Sequence, residues 1–193
     1  MVIIMTVYEA IKTRRTIRSF KNTPINTNDL LQIVDCARLA PYGANLQPLK
    51  FMIITDEDTR KNMFPHIKYA GYIPEWNPDF IESPQAFIAV LNDTTIKPTE
   101  KSECDSGAAV MSMCLASEEL GISSCWLGAI DRTKLKEVLN LPDNLDITYL
   151  LGLGYKNQSG EVFDMTDSVK YYFDESGNVH VPKRTLKEIL VGK

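Results

Sequence analysis

The chain lacks any apolar run near the roughly 18 residues that a membrane span needs. It has no Cys-x-x-Cys pair. Its four cysteines stand at 36, 104, 114 and 125, a spacing that excludes a zinc knuckle or a thioredoxin-like motif. Four thiols in 193 residues do not make a disulfide scaffold, so a reducing compartment is expected. Basic charge is not in surplus: 21 Lys and Arg stand against 25 Asp and Glu, a formal charge of −4. That balance argues against a nucleic-acid partner. Gly152-x-Gly154 runs on into Tyr155-Lys156-Asn157, so no dinucleotide fingerprint completes, and there is no Walker loop. The two histidines, His66 and His180, read as surface residues rather than as catalytic groups or metal ligands. The start, Met1 to Met5, is apolar but short, and the first cation is Lys12. Without a basic start and a small-residue cleavage site it reads as no signal peptide, and a cytoplasmic protein off the membrane is expected.

What is present is enough for one core: 44% of the 193 residues are hydrophobic, which suits a single domain. No repeat or linker interrupts it. Thr6 to Arg15 reads as a short helix with Val7, Tyr8 and Ile11 on one side. Asn26 or Thr27 caps a second helix to about Leu39, with Leu30, Leu31, Val34, Ala37 and Leu39 at helical spacing. Phe51 to Thr55 is strand-like, and Asp56-Glu57-Asp58 opens another helix. Ala86 to Leu91 and Ile147 to Leu153 read as buried strands, and Asp131 to Leu141 as an amphipathic helix. Tyr171 to Phe173 and Val179 to Val181 suggest a hairpin around Asp174 to Asn178, with a last helix over Thr185 to Val191. The order of elements is an α+β pattern without regular βαβ alternation. The helix from Asp105 to Gly121 stands out: residues 106–117 carry no charge, and Gly107, Ala108, Ala109, Ser112 and Ala116 are small. It is either a central core helix or a helix at a subunit interface.

Four segments suit a ligand. Arg14-Arg15-Thr16-Ile17-Arg18-Ser19 gathers three guanidiniums and two hydroxyls, a donor set for phosphate, or else a solvated helix end. In Ala40-Pro41-Tyr42-Gly43-Ala44-Asn45-Leu46-Gln47-Pro48 two prolines frame two carboxamides. Each offers a donor and an acceptor to the edge of a heterocycle, although the same residues favour ordinary turns. Gly121-Ile122-Ser123-Ser124-Cys125-Trp126-Leu127-Gly128 lays small residues after the uncharged helix, as a ligand wall or as a helix cap leading into a strand. Lys183-Arg184 is a basic pair, solvated or ligand-bound.

In this order, from about residue 6 to 190, the four segments resemble the nitroreductase family of FMN-dependent oxidoreductases. The resemblance implies an α+β nitroreductase-like fold, a central and mainly antiparallel sheet flanked by helices, in an intertwined homodimer. Residues 1–193 are then one flavin-binding domain. Arg14, Arg15 and Thr16 are expected to hold the FMN phosphate, helped by Lys183 and Arg184. The loop Pro41, Tyr42, Gly43 and Asn45 is expected to reach the flavin of the partner subunit, with Gln47 supporting it. Cys125, Leu127 and Gly128 are expected to pack on the other side. No side chain is expected to be catalytic, because the flavin carries the chemistry. By the same resemblance NADH or NADPH is expected to give hydride to the flavin N5, and a nitroaromatic, a quinone or a similar electron-poor acceptor to take it. Tyr42 stands where the family usually has serine, and Leu49-Lys50 where tryptophan is common. A bulky ring over the flavin gives the alternative reading, a flavin store or redox sensor with little turnover. Lys68 is a candidate for the cation that members place near the flavin pyrimidine, but no motif anchors it.

Overall fold

The computed structural model describes residues 5–73 and 76–192. The apolar start, Met1 to Ile4, lies outside them. Four strands form the main sheet: β1 (Leu49–Ile54), β2 (Ala86–Asp93), β3 (Ser123–Leu127) and β4 (Leu145–Gly154). They lie in the order β1-β2-β4-β3, with every neighbour antiparallel. β2 is buried along nearly its whole length, as a strand covered on both faces must be. Its side chains alternate between two cores. Ile88 and Val90 join Leu151, Leu153, Leu30, Ile33, Val110 and Met113 on one face. Phe87, Ala89 and Leu91 join Leu150, Cys125, Leu127, Met63 and Leu135 on the other. Each such aliphatic side chain stabilises the fold by about 1.5–3 kcal/mol relative to exposure. A bulge opposite Val90 and Leu91 frees Thr148, whose hydroxyl donates to Val90 O at 3.1 Å.

The helices begin where side-chain oxygens cap them. Thr6 opens α1 (Val7–Thr13) in a capping box with Glu9, and Asn26 opens α2 (Thr27–Arg38). Asp56 caps α3 (Glu57–Met63). Asp131 caps α5 (Arg132–Val138), after the long α4 (Glu103–Glu119). Thr185 and Glu188 box α6 (Leu186–Ile189). These caps satisfy amides that the helix leaves open. α4 ends in a Schellman turn: Gly121, at φ +72, donates to Glu118 O, and Ile122 to Ser117 O.

Two helices carry apolar residues on exposed positions. On α2 the buried positions are Leu30, Ile33 and Ala37, while Leu31 and Leu39 are exposed. On α1, Val7, Tyr8 and Ile11 face outward, 71%, 70% and 53% exposed. α4 is buried on one side by Ala109, Val110, Met113 and Cys114, and Met111 on the opposite side is exposed.

A second sheet, β5 (Gly160–Asp164), β7 (Val179–Lys183) and β6 (Tyr172–Phe173), lies in that order. β6 and β7 are the expected antiparallel hairpin, and β5 pairs parallel to β7. His180 is not a free surface residue. Its Nε2 lies 3.1 Å from Asp174 Oδ2, and its ring stacks on Tyr172 with centroids 5.0 Å apart. Among the described residues, no helix is long and apolar enough to cross a membrane. No cluster of metal-ligating side chains occurs there either.

Candidate functional site

The arginine-rich segment leaves α1 and runs beside the open edge of β3. Thr16 bridges Ser124 in parallel fashion, and Ile17 N–H donates to Ser124 O at 3.0 Å. No ion pair engages Arg14 among the described residues. Arg15 turns back and donates to Lys12 O. Its stem is wedged, because a Cβ at Gly160 would lie 2.7 Å from Arg15 Cγ. Burial, followed by the nearby Arg14 charge, pulls the Arg15 pKa down from its ordinary value. The Ser124 hydroxyl is buried beside this segment and faces the Cys114 thiol.

Arg18 does not join this cation group. It is buried, its Nε donates to Tyr69 O at 2.6 Å, and its guanidinium lies 4.5 Å from the centre of the Tyr171 ring. The amides of Arg18 and Ser19 both donate to Gln158 Oε1, at 2.6 and 2.7 Å. This arginine fastens the second sheet to the main body. The basic pair is only loosely related to the segment. Val179 pairs with Gly160, next to Arg15, and Lys183 follows four residues later, about 13 Å along an extended strand. Lys183 is exposed, and Arg184 Nη1 lies 3.9 Å from Glu188 Oε1.

The second element is the loop after α2. Pro41, Gly43, Asn45 and Gln47 are exposed, and Tyr42 is half-buried. Ala44, Asn45 and Gln47 have φ of 51, 54 and 51. Left-handed backbone costs a non-glycine residue about 1–3 kcal/mol and gathers at functional sites. Tyr42 does not lie over the loop. Its hydroxyl donates to Ala37 O at 3.0 Å, and its ring packs against the α2–α4 core. Burial, followed by the Asp105 charge, raises its pKa. The Gly43 amide donates to Asp105 Oδ1 at 2.8 Å.

The third element is β3. The side chains of Cys125 and Leu127 are buried in the core shared with α3 and α5, so what these positions offer a ligand is not their side chains. Burial pushes the Cys125 thiol up to about 12, and it stays protonated at neutral pH. Gly128 is the exposed member of the run. A Cβ there would meet the Tyr149 ring at 3.3 Å. Just beyond it Lys68 N–H donates to Ala129 O at 2.9 Å. The anchor missing from the local sequence is therefore a backbone bridge. From Ser124 on β3, beside Thr16, to Gly128, one residue before the Lys68 bridge, the chain spans about 13 Å.

The model of the Nitroreductase family matches residues 11–155. The chain belongs to the nitroreductase family. A protein of Archaeoglobus fulgidus described as an NADH dehydrogenase/NAD(P)H nitroreductase is 29% identical over 163 residues, 81% of this chain and 89% of that one. The NADPH-flavin oxidoreductase of Vibrio harveyi is 25% identical over 169 residues, 80% of this chain and 67% of that one. Among solved structures, one from Desulfovibrio desulfuricans, described as a nitroreductase in complex with FMN, superposes with a TM-score of 0.74. It is 26% identical and covers 97% of this chain and 96% of that one. The expected α+β fold and the family resemblance are both borne out. The family model stops at Tyr155, before the second sheet, whereas the Desulfovibrio structure extends over it as well.

Proposed function

We propose that this FMN-dependent oxidoreductase of the nitroreductase family takes hydride from NADH or NADPH and passes it, in a ping-pong cycle, to a nitroaromatic, a quinone or a similar flat acceptor. The observation that carries the reading is β3. One end meets the Thr16 hydroxyl and Arg14, which no ion pair engages among the described residues, and the other end meets Lys68. That donor set fits a phosphate at one end and an electron-rich ring at the other.

When bound, FMN supplies the hydride chemistry. The chain's residues bind and orient it. Arg14, Arg15 and Thr16 take the phosphate, with Lys183 and Arg184 as the outer cations. Lys68 would supply a cation near the ring, and Gly128, lacking a side chain, would leave room for it. Cys125 transfers no proton, being buried and held neutral.

The working unit in this proposal is a homodimer of single-domain chains with flavin sites at the interface. Arg14 acts electrostatically on Cys114, whereas Gly43 is bonded to Asp105, nine positions away on α4. At 1.5 Å rise per residue that is about 13 Å along the helix, so the loop is well placed to serve another copy. The outward apolar residues of α1, the open face of α4 at Met111 and the exposed Leu186, Ile189 and Leu190 supply surface for that copy.

The storage or sensor alternative rested on Tyr42 covering the flavin. Its inward hydrogen bond to Ala37 O removes that motive. The purified protein tests the reading. Bound FMN should give a yellow protein that bleaches rapidly with NADH or NADPH under anaerobic conditions and reoxidises with a quinone. A colourless protein that takes up no FMN on titration sinks it.

A further inference from the structure

Four contacts close a ring around the loop after α2. The Asp93 amide donates to Pro48 O at 2.9 Å, and the Lys97 amide donates to Asp93 O at 3.2 Å. The Lys97 ammonium meets Asp105 Oδ2 at 2.6 Å. Asp105 Oδ1 accepts the Gly43 amide at 2.8 Å. The ring thus ties one end of the loop to the other. Inside it sit the three left-handed residues Ala44, Asn45 and Gln47.

The ion pair that completes the ring is sheltered. The side chains of Lys97 and Asp105 are 14% and 4% exposed. Burial pushes the Asp105 carboxyl up, but the Gly43 amide and Lys97 more than offset it, so it stays ionised below the usual range. Position 43 also leaves room for the clamp, since a Cβ there would press on Lys97 Nζ at 3.1 Å. A sheltered pair with both charges committed is hard to replace piecemeal, because removing one partner strands the other.

We propose that Asp105 and Lys97 are positioning residues for the flavin-facing loop, holding the 43–47 backbone in its left-handed form before any flavin arrives. The proposal rests on the reading above that this loop borders FMN. Without the clamp the strained residues relax toward ordinary backbone, and the binding-competent loop becomes a minor state. Apparent affinity then falls by the fraction of loops that remain preformed. Asp105 also stands in the first turn of α4, so one carboxylate couples the helix proposed for the subunit interface to the loop proposed for the neighbouring flavin.

The test uses the full-length protein as Asp105→Ala, Lys97→Ala and the neutral pair Asp105→Asn/Lys97→Gln. FMN affinity is read by fluorescence titration, and the flavin environment by visible circular dichroism of the bound cofactor. Melting of the apoprotein serves as the control for stability. Asp105→Ala should weaken FMN about tenfold, the result of a preformed fraction cut to a tenth, and should alter the visible spectrum. Lys97→Ala should fall between it and wild type. The neutral pair, which keeps an acceptor for the Gly43 amide, should restore most of both signals. A merely structural role would lower melting and leave the affinity and spectrum of the bound flavin unchanged. If Asp105→Ala does not fold, Lys97→Ala and the neutral pair decide. Wild-type affinity and spectrum in both overturns the clamp, and a loss in Lys97→Ala that the neutral pair repairs supports it. A wild-type protein that binds no FMN overturns the underlying reading and this one together. Variants that match a flavin-binding wild type overturn this one alone.

Discussion

The two halves of the proposed site are held in opposite ways. The arginine end, Arg14 to Ile17, is joined to Ser124 on β3 and keeps Arg14 out of any ion pair among the described residues. The amide loop, Gly43 to Gln47, has three left-handed residues and is fixed at both ends. One half offers charge that waits for an anion. The other offers a shape set in advance. Charge gives affinity and steering, while a preset shape lowers the ordering cost of binding.

The comparison is broken most directly at Arg14. Arg14→Ala should cost about 2 kcal/mol of FMN binding, the loss of one charge-assisted contact, or roughly thirtyfold in affinity. The same variant should leave the apoprotein's melting temperature nearly unchanged. Fluorescence titration and a thermal melt read both, and equal FMN affinity in Arg14→Ala and wild type would remove the arginine end from the site. A smaller effect, in the other half, is expected from Tyr42→Phe, which deletes the hydroxyl bonded to Ala37 O. It should lower stability by about 1 kcal/mol, visible as a shift in the urea midpoint. Ala44→Gly sharpens the contrast from the opposite side. It relieves backbone strain at φ 51, so stability should rise by up to about 1 kcal/mol, while FMN affinity falls because the loop loses its preset form. An unchanged affinity would mean that the strain at position 44 has no bearing on binding.

The smallest effect lies outside both halves and appears only in acid. Asp174 is lowered from the ordinary value of 3.8 to about 2, first by His180 and then by the Asn178 amide. A depressed carboxylate adds stability above 3.8, and that contribution disappears as pH falls from there to about 2. Asp174→Asn should therefore flatten the pH dependence of stability across that window, as read by urea melts at stepped pH. A wild-type slope in the variant would mean that another group titrates there.

Much of the fold is legible in the sequence because burial on two faces writes an uninterrupted apolar run, as in Ala86 to Leu91. Thr6, Asn26, Asp56, Asp131 and Thr185 cap helices through contacts two or three residues away, so their chemistry is local and readable. β5 is not readable in this way. Gly160 to Asp164 carries no clear alternation, and the strand is fixed by partners far along the chain, Gln158 to the amides of Arg18 and Ser19. Arg18 looks like one more phosphate ligand until Tyr69 O and the Tyr171 ring are placed around it. Alanine at 44 gives no hint of a positive φ, because that conformation is imposed by the anchors at Gly43 and Pro48. The position of Lys68 likewise depends on a bridge to Ala129 that spacing does not reveal.

The glycine at 160 has an entropic consequence. Its missing side chain admits the Arg15 stem, since a Cβ there would lie 2.7 Å from Arg15 Cγ. A free arginine gives up as much as about 2 kcal/mol of rotamer freedom when it is immobilised. Arg15 has surrendered part of that freedom during folding, before any anion approaches. In the proposed site the second sheet thereby prepares one arm of the phosphate grip, like a splint that stiffens a limb without sharing its load.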